Sequence, residues 1–248
     1  MENKLSWKQF KTRLKDKAGR NMTVALAMGI RSGRLSAKAA IGIWKALVRP
    51  VLEYGAEVWG EGNWEDAEII QRKMGRRILG HRGKSTDEAV LGDLGWWTMK
   101  ARRWMLRLRY WRKLTSEMGP ERLPRIIYEW ERRNERGKSW TKQTEEIMKN
   151  LGLSREWKNQ ETGGTKADWE KLLNEKLQEQ EQKKWEDEAK KKTKLRTYVK
   201  MKKELKLEKY LEDNDSKGRR LLARIRSGTN SLRIETGRHN HTPLQCRI

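Results

Sequence analysis

Two histidines and one thiol stand near the end of this chain: His239 and His241, two residues apart, then Cys246. Imidazole and thiolate are zinc ligands, but a structural tetrahedral site takes four, and the sequence holds a single cysteine. The stretch is therefore read as a polar terminus, not as a metal site. Two-metal phosphoryl transfer would need paired carboxylates. No two aspartates are adjacent; Asp16, Asp66, Asp87, Asp93 and Asp168 are scattered, and helix starts and solvated faces account for them. A Walker loop, a His-Glu-x-x-His pair and a nucleophile elbow are all missing from the sequence. Neither a catalytic residue nor a metal ligand nor a cofactor is assigned.

Arginine offers recognition chemistry instead. Its planar fork bonds phosphate bidentately. Between residues 98 and 114, Arg102, Arg103, Arg107 and Arg109 alternate with Trp104, Leu108 and Trp111, with no acid among them. Between residues 216 and 248, Arg219, Arg220, Arg224, Arg226, Arg233 and Arg238 stand against Glu235 alone. Ser227, Gly228 and Thr229 are small enough for backbone N–H groups to approach a phosphate. These arginines are the candidate contacts, and RNA, DNA or their hybrid is the expected partner. The formal net charge of +24 over 248 residues agrees, because release of condensed counterions drives such binding.

Composition narrows the remaining classes. No apolar run approaches the ~20 residues of a spanning helix, and Met-Glu-Asn-Lys is no signal-peptide core, so no membrane partner is expected. One cysteine rules out an internal disulfide framework and points to a reducing, intracellular compartment. "KKKTK" at 190–194 matches a weak nuclear-localisation pattern.

The elements that must carry the arginines read as helices throughout, an all-α chain. Ser6 with Gln9 forms a capping box, and Trp7, Phe10, Leu14 and Ala18 share a face. Ser36 caps a second helix whose apolar residues continue past Pro50, where a kink or break near Arg49 is expected. Asn63 is placed to cap a third helix and Gly80 to end it. Thr86 opens a short helix that Gly92 or Gly95 stops. Ala101, Trp104, Met105, Leu108 and Trp111 form a stripe, and tryptophans at such spacing belong to a core. Two short helices surround Ile127 and Ile147, and Gly163-Gly164 is the linker candidate. A Lys/Glu-rich stretch from about Lys166 to about Glu212 reads as one long helix by propensity, with a broken heptad seam. The expected organisation is a helical bundle at 1–118, short helices and linker at 119–164, the long charged helix at 165–215 and a basic segment at 216–248.

Three strings extend this reading. "AAIGIWKALVRPVLEYGAEVWG", then "EIIQRKMGRRILGHRGKSTDEAVLGDLGWWTMKARRWMLRLRYWRKL", then the tail "LLARIRSGTNSLRIETGRHNHTPLQCRI" resemble, in order, the region after the palm in reverse transcriptases of non-LTR (LINE-type) retrotransposons. The resemblance implies a thumb-like bundle near 7–115 and, at 217–248, the linker that leads toward a zinc knuckle. It further implies that the catalytic aspartates of an RNA-directed DNA polymerase lie upstream of "LSWK" and a Cys-Pro-x-Cys pair downstream of Ile248. On that basis the chain is expected to be a non-catalytic fragment that grips template–primer or target strands. Cys246 takes no ligand role. The alternatives are a helical scaffold or oligomerising protein built on the Lys/Glu helix, an amphipathic membrane-surface binder using residues 98–114, or a decayed reading frame with no selected function.

Overall fold

The computed structural model describes residues 7–81, 85–134, 137, 139–213 and 215–229. The fold is all-α, with no strand among the described residues. In chain order the helices are α1 (Lys8–Ala25), α2 (Ala37–Ile43), α3 (Arg49–Glu53), α4 (Ala56–Trp59), α5 (Glu65–Ile78), α6 (Asp87–Leu94) and α7 (Met99–Arg112). They continue with α8 (Leu123–Asn134), α9 (Trp140–Asn150), α10 (Ser154–Asn159), α11 (Lys166–Lys190), α12 (Arg196–Met201) and α13 (Ser216–Arg226). Two compact units divide the chain. The first comprises Met1–Lys15, Val51–Glu68 and Trp97–Glu181; the second comprises Asp16–Pro50, Ile69–Trp96 and Gln182–Ile248. The contiguous segments read from the sequence cross these boundaries, several of which fall inside helices.

In the first unit the stripe on α7 is the core. Ala101, Trp104, Met105, Leu108, Trp111 and Leu114 pack with Tyr128 of α8, Ile147 and Met148 of α9, Trp157 of α10, and Trp169, Leu173 and Leu177 of α11. The start of α7 is held by acceptors on its free N–H groups. The Thr98 hydroxyl accepts from Ala101 N at 3.2 Å, the Glu68 carboxylate accepts from Met99 N and Lys100 N at 3.0 and 2.9 Å, and Glu181 accepts from Thr98 N at 2.7 Å. Carboxylates belong at this end of a helix, where orphan donors and the macrodipole both favour negative charge. Burial pushes the Glu68 carboxyl above its ordinary value, against the pull of those two N–H groups and Arg103.

The second unit carries several of the expected local signals. Ser36 caps α2, its hydroxyl accepting from Ala39 N at 3.1 Å. Pro50 does not break the chain. A wide turn at Trp44–Val48 sends Arg49 N–H to Trp44 O, five residues back, and α3 follows directly. That loosening gives the proline ring room in place of a helical hydrogen bond it cannot make. Gly80 ends α5 at φ +72°, with His81 N donating to Arg76 O at 2.9 Å, the C′ glycine pattern. Gly95 does the same for α6 at φ +61°. The start of α5 lies at Glu65, two residues past Asn63, and the Ser6 cap falls outside the described residues.

The Lys/Glu-rich helix is shorter than its propensity. It stops at Lys190, and tight turns at Thr193–Leu195 and Lys209–Glu212 flank the short α12. Leu195, Tyr198, Leu205 and Leu211 are buried. Their burial in this broken arrangement offsets the helical propensity of the stretch. α11 also makes no coiled-coil seam. Its buried residues Trp169, Leu173, Leu177, Glu181, Trp185 and Ala189 recur every four residues, not in heptads. The apolar positions that a scaffold reading would need on the surface are thus inside.

Candidate nucleic-acid interface

The four arginines of α7 turn away from solvent or into ion pairs. Arg107 is 0% exposed. Its Nε donates to Thr144 Oγ1 at 2.9 Å, Nη2 to Trp140 O and Gln143 Oε1 at 3.0 Å each, and Nη1 to Val58 O at 3.3 Å and Glu61 Oε2 at 3.4 Å. Its guanidinium also lies 4.7 Å from the Trp140 ring centre. Burial lowers its pKa to about 10, while Glu61 and Glu131 oppose that shift. Arg103, also 0% exposed, donates to Gly62 O at 3.1 Å and lies 5.9 Å from the Trp64 ring centre; its Nε and Nη1 find no hydrogen-bond partner among the described residues. Arg102 pairs with Glu53, and Arg109 with Glu170 at 3.4 Å. Arg103 and Arg107 therefore hold the first unit together and present nothing to a phosphate. The tryptophans beside them, Trp104 and Trp111, are buried as well, which leaves the amphipathic surface reading of residues 98–114 without its apolar face.

The arginines of α13 divide. Arg219 is buried and reaches Asp213 O and, at 3.3 Å, Leu35 O. Arg220 donates to Ile30 O at 2.9 Å and lies against Gly33 and Gly80, where any Cβ would collide with it. These two clamp α13 onto the Ile30–Leu35 turn. Arg226 enters a buried polar hub, 3.2 Å from Asp93 Oδ1 and 3.1 Å from Glu208 Oε2, with its guanidinium near the Tyr198 and Tyr210 rings. Both tyrosine hydroxyls donate to Asp93, at 3.0 and 2.6 Å. Burial pushes the Asp93 carboxyl up, and Arg226 and the hydroxyls pull it back. Arg224 is half-buried, its Nε donating to Arg220 O at 3.1 Å. Arg233 and Arg238 lie outside the described residues. The Ser227, Gly228 and Thr229 N–H groups donate to Ala223 O, Ile225 O and Arg224 O at 3.1, 3.1 and 2.8 Å. They close α13 and are not open to a phosphate.

What stays open is a set of cations outside the expected list. No Asp or Glu occurs between Lys17 and Leu52. Along that run Lys17, Arg20, Arg31, Arg34, Lys38 and Lys45 are exposed. The Arg219 and Arg220 clamps bring α13, with exposed Lys217 and half-buried Arg224, against the turn that carries Arg31 and Arg34. Counting arginines found α13; counting the absence of acids would have found Arg31, Arg34 and Lys38. His81 reports the same positive surroundings. It is buried, its Nδ1 lies 3.2 Å from Thr229 Oγ1, and burial together with Arg76, Arg224 and Lys194 lowers its pKa to about 4.

Among the described residues, no group of His, Cys, Asp and Glu gathers to hold a metal ion, and no helix is long and apolar enough to cross a membrane. No protein-family model, curated protein or solved structure matches the chain.

Proposed function

We propose that this chain binds nucleic acid without catalysis, as the thumb and C-terminal region of a non-LTR retrotransposon reverse transcriptase would, and that it grips strands through phosphate. One observation supports this reading above the others: Arg31, Arg34, Lys38, Lys217 and Arg224 gather in the second unit, on segments that carry no acid from Lys17 to Leu52 or within α13. Asp213 and Asp215 stand exposed just before α13, but the cations outnumber them, and such an excess of like charge costs stability unless a polyanion offsets it. Phosphate contacts position a strand without reading its bases, so little sequence preference is expected.

Salt titration of duplex binding tests the proposal. About five phosphate contacts correspond to a log–log slope near −4.5. The double substitution Arg31→Glu with Arg34→Glu should make that slope shallower by about 2, with the fold intact by circular dichroism. A flat salt response, or a double variant that binds like the parent, would remove this face from the argument. Primer extension by the purified chain is expected to give no incorporation.

A further inference from the structure

Helix α8 is amphipathic, and its apolar side faces solvent. Leu123 is 66% exposed, Ile126 48%, Ile127 49% and Trp130 52%. The spacing of three, four and seven places them on one stripe. The opposite side anchors the helix. Tyr128 is buried and accepts from Trp111 Nε1 at 2.9 Å, Arg125 donates to Leu114 O, and Glu131 accepts from Thr141 N at 3.3 Å. The stripe is thus held outward by packing beneath it.

We propose that a second copy of this chain covers the stripe, in an antiparallel pairing of α8 with itself about a two-fold axis between Ile126 and Ile127. In that arrangement Ile126 meets the partner's Ile127 and Leu123 meets the partner's Trp130. Arg122 comes beside the partner's Glu129, and each contact occurs twice, as an isologous interface requires. Charge selects this occupant. Residues 121–134 hold four arginines and three glutamates, nearly neutral in a chain of +24. Glu129 already pairs with Arg125 at 2.6 Å and with Arg133 at 3.7 Å. A polyanion or an anionic lipid surface would find little here to attract it, whereas a self-complementary stripe needs no net charge.

Size sets the strength. The four half-exposed side chains leave roughly 400 Å² uncovered per copy. Two copies then bury about 800 Å² of apolar surface, short of the ~1,200 Å² of stable interfaces, so the dimer is weak and concentration-dependent. Long-range repulsion between two chains of +24 opposes it, and salt screens that repulsion. Pairing therefore strengthens with salt, the opposite of the phosphate binding proposed above, so the two proposals fail separately.

Sedimentation equilibrium of the full chain tests it, at about 0.1 M and about 0.6 M NaCl, where the screening length differs by more than twofold. The mean mass should climb toward that of a dimer as concentration rises, more so at high salt. Ile126→Glu, at a half-exposed position, should weaken association at least tenfold. In a Cys246→Ser background, Ile127→Cys should be joined to its mate by a short bismaleimide, and Lys149→Cys, at an exposed position near the end of α9, should not. A monomer at every concentration and salt overturns the proposal. So does a dimer that Ile126→Glu leaves intact, or equal crosslinking at both positions.

Discussion

Helix α7 and the run from Lys17 to Leu52 are both rich in cations, yet they treat them in opposite ways. On α7, Arg103 and Arg107 are interior and Arg102 and Arg109 are paired with Glu53 and Glu170. Along the other run, Arg31, Arg34, Lys38 and Lys45 stand in solvent with no acid on their own segment. The lesson concerns where the neutralising groups come from. The partners of Arg107 belong to α4, the turn after it, and α9, far away in sequence. A local count of acids misses them. Arginine also suits the interior better than lysine, because it is weakly hydrated and its fixed fork can satisfy several carbonyls at once.

This contrast can be broken most forcefully at Arg107. Arg107→Ala strands the acceptors on Val58, Trp140 and Gln143 and leaves Glu61 without its partner; a loss of about 3–5 kcal/mol in urea unfolding is expected. A loss below about 1 kcal/mol would mean that α7 wears its arginines as the exposed run does.

His81 gives the next largest effect. Its folded pKa of about 4 lies below the ordinary 6.5, so between those values the unfolded chain binds the extra proton. Stability from this group is present above pH 6.5 and is lost as pH falls through about 4, by about 3 kcal/mol. His81→Gln should therefore be relatively less sensitive to acid than the parent, seen as a shrinking difference in denaturation midpoint between pH 7.5 and pH 4.5. An unchanged difference would argue that neither burial nor the cations of Arg76, Arg224 and Lys194 holds the His81 imidazole neutral.

Arg31→Glu with Arg34→Glu should cost nucleic-acid affinity by tenfold to a hundredfold at moderate salt, and little stability. The smallest change is expected at Arg109→Ala. Its pair with Glu170 is partly solvated, and such pairs contribute about 0–1 kcal/mol. Binding of nucleic acid should be nearly unaffected. If instead Arg109 mattered for affinity and Arg31 did not, the contrast between the two regions would be reversed.

Local signals were readable one residue at a time. The Ser36 cap, the Gly80 stop and the α7 stripe depend on interactions within a few residues or on a periodic pattern, and each formed where the chain spelled it. The Lys/Glu helix misled because propensity extends it to Glu212, while the chain ends it at Lys190 and buries Tyr198 and Leu211 in the turns and short helix that follow. The candidate interface was half readable. α13 was marked by its arginines, but Arg219 and Arg226 are consumed by the Leu35 carbonyl, Asp93 and Glu208, which lie on other parts of the chain.

Helical character, strong positive charge and the identity of the core stripe were already written in residue order, because periodicity and composition are local or additive properties. Which cations remain in water was settled by folding. A guanidinium's fate depends on which carbonyls and carboxylates arrive beside it, and those come from distant segments whose meeting no short window of sequence describes.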